Sequence, residues 1–285
     1  MFDSSPLHNF GYKYFPIEKL SSNESSDIYS VHSSPYEIRT LILFNQGFTE
    51  ENFAKQLEIY SRLSQHKSSY FFKYISNSKD ELIVREKYIV LEFTRKTELK
   101  KYILSGNFFS EKLAKIVIKK IIDSISEMHK MGIVHKKISV DNIFLDGFYN
   151  FKIAGFDYAE IVDQNNNKKL FKKDIFGLGM ILIQLLTGKP ELKVIKDKLK
   201  LAIKKGNFDS FWKIIENQGE YDFTKELKDL VNLMFNGQIL DIQKLLNHKW
   251  FDEVQNIDKK QYELYEQFMN NELKKYEGEE NEVVV

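Results

Sequence analysis

The chain has 285 residues, with 42 Lys plus Arg against 41 Asp plus Glu and a formal net charge of +1, which excludes a whole-chain polycation of the kind that coats nucleic acid. A hydrophobic content of 42% is enough for a sizeable core and too much for a disordered chain. The absence of cysteine excludes disulfide scaffolds, thiolate nucleophiles and cysteine-ligated metal. The segments Tyr14–Leu20, Ile28–Val31, Tyr36–Phe44, Phe71–Ile75, Glu81–Val84 and Tyr88–Phe93 are rich in β-branched and aromatic residues and read as short strands. Among them, Phe53, Leu57, Tyr60 and Leu63 recur three or four apart, which predicts one amphipathic helix over Glu50–Ser64.

After Phe93 the texture becomes helical. Leu99–Ile103 reads as a short helix and Ser110–Met131 as a long one, with Ser110 as N-cap and an apolar stripe from Leu113 to Met128. Two short strands, Ile143–Leu145 and Phe151–Ile153, flank a turn, and a polar stretch precedes a buried helix from Asp174. Further helices are predicted at Leu192–Lys205, Phe208–Ile215, Thr224–Phe235, Ile242–Leu246 and Lys259–Glu277. The apolar run at Phe176–Leu186 is broken by Gly and Gln and falls short of the ~20 residues of a membrane span. The first residues lack a basic region followed by an apolar run, so no leader is expected.

Several segments, in order, resemble a eukaryotic protein kinase over roughly Tyr14–Phe251. GIVHKKISVDNIFLD (132–146) is similar to the catalytic loop, FKIAGFDYA (151–159) to the magnesium-binding loop, and DIFGLGMILIQLLTGKP (174–190) to the large central helix. KYIVLEF (87–93) resembles the strand entering the hinge, with Leu91 and Glu92 at nucleotide-cleft positions, and LLNHKWF (245–251) the end of the fold. The resemblance implies an α+β, bilobal fold: an N-terminal five-stranded antiparallel sheet with one helix, then a mainly helical lobe. The expected organisation is an extension (1–13), an N-lobe (14–94), a C-lobe (95–253) and a helical, acidic tail (254–285).

A kinase neutralises charge on the transferring phosphate with metal and lysine, and orients the hydroxyl with an aspartate. The positions that the resemblance assigns to these roles are degenerate. The three glycines of the phosphate turn fall on Ser21, Asn23 and Ser26. Arg39 takes the place of the phosphate-holding lysine, Glu37 that of the small residue roofing the adenine, and Gln56 that of the helix glutamate that pairs with the lysine. Phe144 stands on the cleft floor. Lys137 replaces the catalytic aspartate and Ser139 the catalytic-loop lysine; an ammonium of pKa about 10.4 cannot accept the hydroxyl proton. Asn142 is retained, but Gly155 replaces the metal-binding aspartate and offers no side-chain oxygen to Mg²⁺. Asp157 is read as a turn aspartate, Asp174 as the cap of the catalytic loop, and Ile239 as the replacement of a supporting arginine.

The resulting expectation is a catalytically inactive kinase-like protein, a pseudokinase serving as scaffold or allosteric regulator. It takes no cofactor and no metal, works through protein partners rather than nucleic acid or membrane, and resides in the cytoplasm or nucleus. The alternatives are a nucleotide-binding pseudokinase and an atypical active serine/threonine kinase, and ATP and Mg enter only there. Basic runs, that at 195–205 included, read as solvated faces. Phe208 and Trp212 lie four apart and are read as a partly exposed docking face, with Phe211 in the core.

Overall fold

The computed structural model describes residues 13–34, 37–66, 69–80, 86–93, 97–104, 108–146, 149–163, 168–189, 195–239, 241–255 and 259–275. The chain divides into two compact units, Met1–Arg95 and Lys96–Val285. The expected strand Glu81–Val84, Tyr36 at the start of a strand, most of the N-terminal extension, the hinge residues 94–96, the start of the Leu192 helix and the acidic end lie outside the described residues.

The first unit is built on β1 (Phe15–Ser22), β2 (Ser26–Ser34), β3 (Glu37–Phe44), β4 (Tyr74–Asn77) and β5 (Tyr88–Glu92), with α1 (Glu50–Gln65) between β3 and β4. They form one antiparallel sheet in the order β1-β2-β3-β5-β4. Helix α1 starts where Thr49 accepts the Asn52 N–H, a cap that contributes about 1 kcal/mol, and it buries Phe53, Gln56, Ile59, Tyr60 and Leu63. Its exposed side carries Glu58, paired at 2.6 Å with Arg62 one turn on.

The two faces of the sheet are distinct. Phe53 of α1 meets Phe44 edge-on, which puts the helix on the face of Thr40, Ile42 and Phe44. The opposite face holds a cluster of Tyr14, Val31, Leu41, Tyr88 and Val90. Tyr14 crosses it, with its hydroxyl 2.6 Å from Ser76 Oγ and its ring edge-on to Tyr88.

The second unit contains β6 (Thr97–Glu98), α2 (Leu99–Leu104), α3 (Glu111–Lys130), β7 (Ile133–Val134), β8 (Ile143–Leu145), β9 (Phe151–Ile153), β10 (Glu160–Ile161), α4 (Lys168–Thr187), α5 (Lys196–Lys204), α6 (Phe208–Glu216), α7 (Lys225–Asn236), α8 (Asp252–Gln255) and α9 (Lys259–Lys275). Ser110 caps α3 through the Leu113 N–H, as its sequence predicts. Helix α4 begins at Lys168 rather than Asp174, because Phe171, Asp174, Ile175 and Leu178 continue one buried stripe into the polar stretch. A Cβ on Gly179 would lie 2.8 Å from the Phe235 ring, so glycine there lets α7 pack closely on α4. Helix α9 is packed on α3, with Met269 and Leu273 buried and Glu266 bound to Lys120. The five-stranded sheet with one helix and the helical second unit make the α+β architecture that the sequence predicts.

Candidate active site

In the first unit, the residues aligned with the phosphate turn connect β1 to β2. The Asn23 carboxamide oxygen accepts the backbone N–H groups of Ser25 at 2.8 Å and Ser26 at 2.9 Å. Asn45 fastens the same tip, donating its side-chain amide to the Glu24 carbonyl and its N–H to the Ser25 carbonyl. Ser21 sits opposite Ile28 in the ladder, and Ser26 is buried. A phosphate-cradling turn depends on free backbone N–H groups, and two of them here are satisfied from within.

The sheet register corrects the assignment on β3. Thr40 is paired directly with Leu91, and Arg39 with Glu92. Directly paired residues share a face, so Thr40 and Leu91 lie on the α1 side while Arg39 and Glu37 lie on the other. There, Arg39 donates to Glu37 Oε2 at 2.7 Å, and Glu37 is more than half exposed. The residue facing the helix that carries buried Gln56 is therefore Thr40, which is neutral and buried, and Ile38 rather than Glu37 shares its face.

In the second unit, Asp174 organises the loop aligned with catalysis. Its carboxylate is fully buried and accepts the N–H groups of His135 at 2.9 Å and Lys136 at 2.7 Å, with His129 Nε2 at 2.8 Å. This follows the capping role read from the sequence. Lys136 takes a left-handed φ of 65° and pairs with Glu160. His135 is buried; its Nδ1 accepts the Lys137 N–H and its Nε2 faces the Ala154 carbonyl at 2.8 Å, which places the proton on Nε2. Burial holds the imidazole below its usual pKa, and the Asp174 carboxylate opposes this without reversing it. His135 also stacks on Phe156 with ring centroids 4.9 Å apart.

Lys137 is exposed, with its ammonium 4.6 Å from the centre of the Tyr158 ring. Ser139 precedes a 3-10 turn over Val140–Asn142, and Asp141 points to Lys100 at 2.8 Å. Asn142 donates its side-chain amide to the Lys137 carbonyl. Gly155 is left-handed, at φ 76° and ψ 47°. A Cβ there would lie 2.6 Å from Asn142 Cγ and would overlap its Oδ1, so a side chain at the position aligned with the metal aspartate would be strained at this φ and would have to displace the Asn142 carboxamide. Asp157 belongs to the 3-10 turn Phe156–Tyr158. Phe144 is half-buried on β8, between Glu98 of β6 and Lys152 of β9. Among the described residues no three His, Cys, Asp or Glu side chains converge as around a metal ion. Ile239 lines a pocket of about 590 Å³ together with His129, Phe171 and Ile242.

The docking face expected on α6 fails at Trp212. Phe211 is in the core as expected and Phe208 is partly exposed, but Trp212 is buried, donates its indole N–H to Asn232 at 2.9 Å and packs on Phe223. Phe223 and Asn232 are distant in sequence, so spacing within the helix carries no sign of them.

Comparison with known proteins gives a consistent family. The protein kinase domain matches residues 36–173. The chain is similar to the probable serine/threonine-protein kinase KCC4 of Saccharomyces cerevisiae, at 27% identity over 60% of this chain and 18% of that one. It is also similar to serine/threonine-protein kinase PKH3 of Eremothecium gossypii, at 22% over 83% of this chain and 36% of that one. A third relative is serine/threonine-protein kinase cds1 of Schizosaccharomyces pombe, at 22% over 86% of this chain and 57% of that one. The chain spans less than two thirds of the length of each of these relatives. The matched domain and these relatives support a place in the eukaryotic protein kinase superfamily.

Proposed function

We propose that this member of the superfamily is a pseudokinase, which works inside the cell, in cytoplasm or nucleus, by binding other proteins rather than by transferring phosphate. The observation that carries the reading is at Gly155, where the Asn142 side chain fills the space in which a metal-binding carboxylate would begin. Mg·ATP does not fit the residues present. Two turn amides are taken by Asn23, the helix-facing position on β3 is a neutral Thr40, and a lysine, Lys137, stands where a carboxylate base is needed. The alternatives are binding of nucleotide without transfer and an atypical serine/threonine kinase, the activity printed for the relatives. Purified protein incubated with radiolabelled ATP, Mg²⁺ and a generic basic peptide tests the reading. Label in neither peptide nor protein above a no-enzyme control is expected; turnover that scales with protein concentration would overturn it.

A further inference from the structure

We propose that the outer face of α5 is a docking surface for an acidic protein segment that carries an apolar residue among its carboxylates. The proposal rests on the reading of this protein as a binding module and names one place where it binds. Leu199 and Ala202 bury one side of α5 in the second unit. On the other side Lys198, Lys200, Leu201, Lys204 and Lys205 are exposed. Several lysines elsewhere are neutralised locally: Lys55 by Glu51, Lys115 by Glu253, Lys136 by Glu160 and Lys228 by Glu216. Lys198, Lys200 and Lys204 on α5, and Lys205 just after it, have no ion-pair or hydrogen-bond partner among the described residues. Among the described residues, the acidic side chains nearby in sequence, Asp197 and Asp209, are both exposed and are outnumbered by these lysines.

Like charges four residues apart, as at Lys200 and Lys204, weaken a helix, so this face is left unneutralised at a cost to its own element. An incoming carboxylate relieves that repulsion. Leu201 is 52% exposed and lies among the lysines, an apolar centre with a charged rim, which is the composition of a protein interface. The chain's net charge is only +1, so attraction of an acidic partner is local to this face rather than general. A nucleic acid is disfavoured because α5 presents no aromatic ring for bases to stack on.

The test uses the full chain and a fluorescein-labelled peptide of about a dozen residues, Glu and Asp with one central Phe, followed by anisotropy. Parent protein is expected to bind it, and Lys200→Glu with Lys204→Glu to weaken binding by about tenfold or more. Leu201→Ser, and separately a peptide with Ser for Phe, should each weaken it by about threefold or more. All these positions are exposed, so melting temperatures should stay within about 2 °C of the parent; Lys204→Gln serves as a milder variant if the charge reversal unfolds the protein. No binding, equal binding by the Leu201 variant and the Phe-less peptide, or tighter binding of a DNA duplex would each overturn the proposal. These outcomes leave the assignment of inactivity untouched. Phosphotransfer would overturn that assignment and leave the docking result standing.

Discussion

Gly155 is where one residue decides most. Its left-handed φ of 76° already disfavours any side chain, and the Asn142 carboxamide blocks the Cβ. Gly155→Asp is therefore expected to destabilise the fold by about 1–3 kcal/mol, measured as a lower urea midpoint at unchanged slope. Combined with Lys137→Asp it should still give no phosphotransfer, since groups that act as one unit do not add. That a glycine stands at the position aligned with the metal aspartate is legible in the sequence; that a side chain there would be strained and meet Asn142 is not, because φ and the position of Asn142 depend on the surrounding loop. His135 offers a pH test. Its folded pKa is depressed by burial, so the unfolded chain takes up a proton that the native state refuses. The stability it contributes is complete above the unfolded pKa of about 6.5 and is lost as pH falls towards the folded value, by at most about 1.4 kcal/mol per pH unit. Urea midpoints of parent and His135→Gln between pH 7.5 and about 5 should converge on acidification if this is right; parallel curves would exclude it.

At the scale of elements, the strands and helices were readable because their periodicities are clean, and α1 and α3 even announce their caps. The register of β3 was not. From Thr40 to Phe44 the strand is covered on both faces, so the alternation of polar and apolar residues that would show which way Arg39 points is missing. The exposed pair Glu37 and Arg39 then lies at one end of the strand, on the face away from α1. Helix α6 misled for the opposite reason: an aromatic four residues from another looks like a surface stripe until Phe223 and α7 close over it. Trp212→Ala should accordingly cost about 3–5 kcal/mol in chemical denaturation, whereas Leu201→Ala on the exposed face of α5 should stay within about 0.5 kcal/mol. Helix α9 behaves as part of the second unit. Leu273→Ala is expected to cost about 2–4 kcal/mol, and Glu266→Ala, which removes a partly exposed ion pair to Lys120, less than about 1 kcal/mol.

For the whole molecule, the departures from nucleotide chemistry fall in both units and have different physical origins. In the first, the turn amides are internally satisfied and no cation faces α1 at Thr40. In the second, a side chain at Gly155 would have to displace Asn142, and Lys137 stands at the position aligned with the catalytic aspartate. Repairing one unit leaves the other unable to hold phosphate, so nucleotide affinity should be negligible rather than merely reduced. Any ligand that binds only the native state adds RT ln(1 + [L]/Kd), about 2.7 kcal/mol at one hundred times Kd. For a chain of this size that corresponds to a rise in melting temperature of roughly 5 °C. With millimolar Mg·ATP we expect a shift below about 1 °C, no larger than that from Mg²⁺ alone. A shift of several degrees that requires both nucleotide and metal would mean that the loop of Asn142 and Gly155 rearranges to admit an ion. One that needs nucleotide alone would instead identify the protein as a nucleotide-binding pseudokinase, with adenine held by apolar contact and no metal bridge.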